Sequence, residues 1–274
     1  MDVVAPGVTR FAARTPTLLP ATHTNSYALD DGVAVVLVEP ASPYPDEQAQ
    51  FVAWARDFER QGRTLRAIAL THHHPDHIGG AAYFASALGL PLWAHARTAA
   101  ALPTLEFARH LQDGEDLGVG AWQILHTPGH APGHVCLYDA HNATVVAGDM
   151  VASVGTILIP PDDGDMGEYL RQLQRLEALD AKLALPAHGE PITAPSALFA
   201  HYVAHRLARE AKVIAALPGT FEELLARVYD DVPPTALPAA ALSLRAHLDK
   251  LLREERARQE MNAVCMYVLA SSSR

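Results

Sequence analysis

Cysteine is scarce in this chain: 274 residues carry only Cys136 and Cys265. Two isolated cysteines exclude a disulfide framework and the paired thiolates of a structural zinc motif. No apolar run approaches the roughly 18 residues that a bilayer span needs, which excludes a membrane helix and a membrane partner. The opening MDVVAPGVTRFAART lacks the basic start and apolar stretch of a secretory leader, so a cytoplasmic protein is expected. Basic residues are also thin over most of the chain. Residues 1–199 hold 11 Lys and Arg against 22 Asp and Glu, whereas residues 200–274 hold 10 against 9. The acidic part repels polyanions in bulk, and the C-terminal part leaves that question open.

Up to about Gly189, short β-branched runs alternate with helical patterns. VAVVLVEP (33–40) reads as a buried strand, and the segment after it feeds an amphipathic helix that stops at Gly62. Leu65 to Leu70 is a further strand, Ile78 to Leu88 a helix stopped by Gly89, and residues 91–95 a short strand. Trp122 to Leu125, Val135 to Tyr138 and Thr144 to Ala147 lie too close together for crossover helices and are expected to be antiparallel. A helix over Met166 to Leu179 and a strand over Lys182 to Leu185 complete a mixed sheet. From Pro195 the pattern changes to Ala/Leu-rich helices at about Ser196 to Leu217, Thr220 to Tyr229 and Leu237 to Arg258, with Thr220 and Glu223 forming a capping box. The expected organisation is an α+β domain over residues 1–194 and a small helical domain over 195–274.

What is abundant is histidine, 15 in all, and four of them stand in THHHPDHIGG, Thr71 to Gly80. His72 and His74 are two apart at a strand end, where alternate side chains share a face and two imidazoles can bind one metal. Pro75 suits the first turn of a helix, and Asp76 and His77 in that turn can face a second metal. A solvated histidine run would explain the stretch taken alone. However, His130 in TPGHAPGH, Asp149 in AGDM and His188 in LPAHGE each follow a strand and stand beside glycine or proline. Strand-end loops are where catalytic groups collect, which favours a metal site. Imidazole and carboxylate ligands without thiolate suit Zn²⁺, with Fe²⁺ and Mn²⁺ open. Two such ions about 3.5 to 4 Å apart would bring the pKa of a bridging water toward neutrality and polarise a carbonyl or phosphoryl oxygen. No serine or cysteine nucleophile is then needed, and Cys136, inside a strand, is assigned to the core.

The order His72-x-His74-x-Asp76-His77, TPGH ending at His130, GD ending at Asp149 and AHG containing His188 resembles the metallo-β-lactamase superfamily over most of the first 190 residues. The resemblance implies a four-layer αβ/βα sandwich with a dinuclear metal site at one edge of the paired sheets. It assigns His72, His74 and His130 to a first divalent ion, Asp76, His77 and His188 to a second, and Asp149 to both. Asp76 and His134 are the expected catalytic residues; His134 is expected either to support the ligands from behind or to contact substrate, and Tyr169 to contact substrate. Aspartate at 149, where β-lactamases usually carry cysteine, is similar to the glyoxalase II-like, lactonase and nuclease branches. His73 is expected to face solvent.

SPYPDEQ (42–48), GDMVASVGTILIPPDDGDMGEYL and the helical tail resemble the β-lactamase-like-protein-2 group of that superfamily, although Pro40-Ala41 stands where the group usually has proline-glycine. In that group the C-terminal helices form a winged-helix-like domain beside the active site. The implied activity is hydrolysis of a small-molecule thioester or ester, as in a hydroxyacylglutathione hydrolase or acyl thioesterase. An apolar pocket is expected from the loop Ser153 to Pro161, Tyr169 and the appended helices. The alternative is a single-strand endoribonuclease, for which Arg206, Arg209, Lys212, Arg245, Lys250, Arg253, Arg256 and Arg258 would supply cations. Glu210, Asp249, Glu254 and Glu255 are interleaved with them, the pattern of a solvated helix face, so RNA is the less favoured ligand. A third reading makes the tail a partner-binding or homodimerisation module beside a vestigial metal site, which seven intact ligand positions disfavour.

Overall fold

The chain opens with antiparallel hairpins in a computed structural model that describes residues 2–261 and 265–270. Strands β1 (Asp2–Ala5), β2 (Val8–Arg14), β3 (His23–Asp30) and β4 (Ala34–Val38) pair in chain order. Helix α1 (Pro45–Arg60) crosses back, so β5 (Thr64–Ala69) joins β4 in parallel, with Leu37 opposite Ile68. After α2 (Pro75–Ile78) and α3 (Ala81–Leu88), β6 (Leu92–Ala94) adds in parallel; after α4 (Ala96–Ala101), β7 (Phe107–His110) does the same. A second sheet contains β8 (Trp122–His126), β9 (Val135–Asp139) and β10 (Thr144–Gly148), antiparallel in turn. Helix α5 (Met166–Glu177) carries the chain over to β11 (Leu183–Pro186), parallel to β10.

Side-chain alternation along the strands fixes the layers. In β4, Val35 and Leu37 pack with Phe51 and Trp54 of α1, while Val36 and Val38 face Ile124, Leu137 and Val146 of the second sheet. In β10, Val145 and Ala147 turn the other way, onto Leu170, Leu173 and Leu176 of α5. Helices, seven-stranded sheet, four-stranded sheet and helices therefore stack as the expected four-layer sandwich. No helix among the described residues is long and apolar enough to cross a membrane.

Helix α6 (Pro195–Ala216) packs Phe199 and Val203 on the α5 side and Val213 on a separate core. That second core joins α7 (Phe221–Val228), α8 (Leu237–Arg253) and the antiparallel hairpin of β12 (Ala257–Met261) and β13 (Cys265–Leu269). The capping box on Thr220 is formed.

The structure corrects two of the expectations from sequence. The helix over Leu237 to Arg258 stops at Arg253, because Glu255 turns at φ 55 and the next residues pair with β13 as a wing. The helix from Ile78 is broken at Gly79 and Gly80, where a Cβ would meet Ala41 O at 2.8 Å or Ser42 O at 2.7 Å. Strands β1 to β3 precede the first strand read from sequence, and β3 buries Thr24, Asn25 and Ser26. Asn25 Nδ2 donates to Pro186 O and Gly189 O at 2.9 and 2.8 Å, which offsets that burial. The last four residues of the expected 195–274 domain lie outside the described chain.

Glu210 of α6 is buried and takes Lys250 Nζ at 2.7 Å on one carboxylate oxygen and Arg256 Nη1 at 2.6 Å on the other. Burial pushes its pKa up, but His247, Lys250 and Arg256 together outweigh that and hold it at about 2, against 4.5 for a free glutamate. A depressed carboxylate contributes stability that is complete above the unfolded pKa and is lost as pH falls through the folded one. Glu210→Gln is therefore expected to be less stable than the unaltered protein at neutral pH, with the gap closing as pH falls from 4.5 toward about 2. Denaturant unfolding at stepped pH measures it, and a gap that stays constant across that window would refute the pairing.

Candidate metal centre

Four strand ends deliver the histidines and aspartates to one edge of the sandwich. β5 runs into Thr71 and His72, and His74 precedes α2, with Pro75 at the first helical position and Asp76 and His77 in that turn. The loop after β8 bears His130. β10 ends at Gly148, whose φ of 51 turns the chain into Asp149, and β11 leads to His188. Because β9 runs antiparallel between β8 and β10, and β11 is parallel to β10, these three ends point the same way.

All seven predicted ligands converge. His72 Nε2 and His74 Nδ1 are 3.1 Å apart, and His130 Nε2 lies 3.2 Å from the first and 2.9 Å from the second. Opposite them, Asp76 Oδ2 is 3.7 Å from His77 Nε2 and 3.5 Å from His188 Nε2. Asp149 lies between the two groups, with Oδ2 at 3.5 Å from His130 Nε2 and 3.6 Å from His77 Nε2, and Oδ1 at 3.4 Å from His188 Nε2.

The outer nitrogen of each ring shows what the inner one can do. His130 Nδ1 donates to Leu158 O at 2.8 Å, His188 Nδ1 to His23 O at 3.0 Å, and His77 Nδ1 to Glu39 Oε2 at 2.8 Å. A ring that spends its proton outward presents a bare lone pair inward, which is how metal-binding histidines are prepared. Burial, followed by the charges of neighbouring histidines, holds His72 well below its ordinary pKa. Burial also pushes His130 down to about 4. These two rings crowd with His74 Nδ1 at spacings of 2.9 to 3.2 Å, close to the roughly 3.3 Å between ligand atoms around a tetrahedral zinc ion. Burial opposes a charge on His77 too, yet the Asp149 and Glu39 carboxylates outweigh it and hold His77 well above its usual range. Its Nε2 and Asp149 Oδ1 are buried without hydrogen-bond partners. Both halves of the site therefore favour a cation, and the donor set fits divalent metal ions: His72, His74 and His130 can hold one, and Asp76, His77 and His188 another.

Two expected substrate contacts lie elsewhere. His134 is fully buried, accepting Asp149 N–H at Nε2 over 3.1 Å while Nδ1 donates to Thr127 Oγ1 at 2.8 Å. With both ring nitrogens engaged it props the Asp149 turn, and a Cβ on Gly148 would come within 2.5 Å of its Nε2. Tyr169 is likewise buried. Its hydroxyl donates to Met150 O at 2.8 Å, and its backbone closes on Gly129. The loop Ser153 to Pro161 turns Ile157 and Ile159 into the core, so these apolar side chains do not line a pocket. His73 is not free either, since its Nε2 pairs with Asp163 Oδ2 at 2.9 Å, and the same oxygen is 3.5 Å from His74 Nε2.

Glu39 and Asp163 went unnoticed in the sequence. Glu39 sits just after β4 at φ 65 and is 1% exposed, taking Thr71 N–H at 2.9 Å as well as His77. A lone acid ending the apolar run VAVVLV was the available signal for it. Asp163, in a run of surface aspartates, had none.

With fold and site in view, residues 19–188 match the family described as Metallo-beta-lactamase superfamily, and residues 220–263 match the Beta-lactamase associated winged helix domain. The chain belongs to the metallo-beta-lactamase superfamily, a family of hydrolases whose members bind divalent metals, and it ends in a winged-helix domain. It is 28% identical over 278 residues to the Beta-lactamase-like protein 2 homolog of Drosophila melanogaster, covering 93% of this chain and 91% of the relative. The atrochrysone carboxyl ACP thioesterase of Aspergillus chevalieri is 30% identical over 220 residues, covering 78% of this chain and 67% of the relative. Among solved structures, a beta-lactamase domain protein from Burkholderia ambifaria superposes with a TM-score of 0.83 at 23% identity, over 98% of this chain and 93% of that one.

Glu39→Gln sets an amide N–H or a weakened acceptor against His77 and Thr71. The metal-free variant is expected to lose about 1–3 kcal/mol of stability, the cost of a buried group left unpaired. Its denaturant midpoint measures this, and an unchanged midpoint would remove Glu39 from the account.

Proposed function

We propose that this protein is a divalent-metal-dependent hydrolase acting on a small-molecule thioester or carboxylic ester. The observation that carries the reading is the set of five ring nitrogens that face inward around Asp149, three of them on rings whose other nitrogen is held from outside. When bound, such ions supply Lewis acidity and lower the pKa of water at neutral pH. Asp149 would touch both ions, and Asp76 would join His77 and His188 on the second. Glu39, Leu158 O and His23 O fix the rings, and His134 fixes the Asp149 turn.

Charge favours a neutral acyl group over a polyanion. The ionisable side chains partly open at the mouth include the carboxylates of Asp76 and Asp163. The eight cations that RNA binding would require all have partners. Arg209 and Lys212 hold Asp231, Lys250 and Arg256 hold Glu210, Arg253 holds Asp165 and Arg258 holds Glu260. Arg206 donates to Ile157 O, and Arg245 to Tyr267 Oη at 3.1 Å. An apolar contact is available from Leu18 and Leu19, 68% and 84% exposed, on the β2–β3 loop whose Pro20 packs beside Gly155. The thioesterase name of the Aspergillus relative points the same way.

Asp76→Ala is expected to retain one ion per chain instead of two and to lose acyl-thioester turnover by more than about a hundredfold, beyond the effect of removing an outer partner. Metal analysis and steady-state rates on thioesters, lactones and RNA oligomers decide it. Two retained ions with unchanged turnover would overturn the site, and cleavage confined to RNA and falling with salt would replace the substrate class.

A further inference from the structure

His130 is held from outside at two points, both on the segment between Asp149 and α5. Its Nδ1 donates to Leu158 O at 2.8 Å, and Asp165 N–H donates to Gly129 O, one residue ahead of it, at 2.8 Å. Each point is tied in turn to the C-terminal helices, through α6, which leads into the winged-helix segment, and α8 within it. Arg206 on α6, only 5% exposed, donates through Nη2 to Ile157 O, the residue before Leu158. Arg253 at the end of α8 pairs with the carboxylate of Asp165. Two chains of contact, Arg206–Ile157–Leu158–His130 and Arg253–Asp165–Gly129–His130, thus run from the domain to one histidine.

We propose that Arg206 and Arg253 are positioning residues for His130, so that the winged-helix domain sets how tightly the His72–His74–His130 site holds its metal ion. This rests on the reading that these histidines bind a divalent ion. A ligand imidazole is oriented by the partner of its other nitrogen, and that partner is only as fixed as its own backbone. Residues 151–165 form no helix or strand. No backbone ladder holds Leu158 O, so its place depends on contacts from neighbouring elements. Ile157 and Ile159 anchor the apolar side of the segment, while Arg206 engages the adjacent carbonyl directly and sets the peptide orientation.

The full-length, metal-free protein is titrated with Mn²⁺ or Co²⁺ against a competing chelator, with His188→Ala used to isolate the first site and His74→Ala the second. In the His188→Ala background, Arg206→Met is expected to weaken binding about ten- to a hundredfold, Arg253→Met to weaken it in the same direction, and Arg206→Lys to recover part of the loss. In the His74→Ala background none of the three is expected to change affinity. Unchanged first-site affinity in both methionine variants overturns the proposal, as does equal weakening of both sites, which would signal general loosening. Should Arg206→Met fail to unfold cooperatively, Arg253→Met carries the test, because its side chain is 50% exposed. If the unaltered protein binds no ion, the functional reading falls as well; two ions with indifferent arginine variants overturn this inference alone.

Discussion

Three histidine ring nitrogens packed within 3.2 Å of one another are the constraint on which the rest of the structure depends. Two of the three rings, His72 and His130, are buried and kept neutral, so drawing these nitrogens together opposes folding until a cation fills the space between them. Only rigid surroundings can hold it. The two sheets provide them, because the layer of Tyr27, Leu29, Val36 and Val38 against Ile124, Leu137 and Val146 leaves the strand ends no room to part. Each outer hydrogen bond contributes only about 0.5–1.5 kcal/mol. Their joint effect is orientation: Glu39, Leu158 O and His23 O leave each ring one way to face.

The two sheets contribute unequally. The end of β5 and the turn of α2 provide four potential ligands in six residues, whereas β8, β10 and β11 provide one each from three loops. A tight turn with proline at its first helical position can present neighbours to different ions, whereas the second sheet must collect its ligands from the ends of three separate strands. Gly148 shows the cost of that collection: at φ 51, with the His134 ring against it, no side chain fits.

This difference also explains what could be read from the amino-acid sequence. Ligands are uncommon residue types in short spacings beside glycine and proline, so all seven stood out before any geometry was known, as did strands such as 34–38 with continuous apolar runs. Glu39 and Asp163 did not, because a carboxylate is common and its partner is set by folding. His77 lies 38 residues from Glu39, and His73 lies 90 before Asp163. His134 was left between a support for the ligands and a substrate contact, and only the first holds; Tyr169 was placed in the right neighbourhood with the wrong facing. Spacing put them near the site, but whether a ring nitrogen meets substrate or the amide of Asp149 depends on packing. Strand β3 and the wing were hidden for a related reason: buried Thr, Asn and Ser in one and a run of charge in the other look like loop or helix until a partner strand is present.

Charge pairing joins the winged-helix domain to the catalytic chemistry. Residues 200–274 carry 10 basic and 9 acidic side chains, nearly neutral in sum, and the basic ones that face the site are spent on Ile157 O and Asp165. The domain therefore offers the mouth little positive field, and Asp163 and Asp76 set the local sign. Divalent ions held behind such carboxylates would polarise a carbonyl oxygen in contact with them, while their pull on a distant polyanion would be attenuated. The arginines that engage the loop at Ile157 and Asp165 are the same groups that would otherwise present free positive charge beside the site.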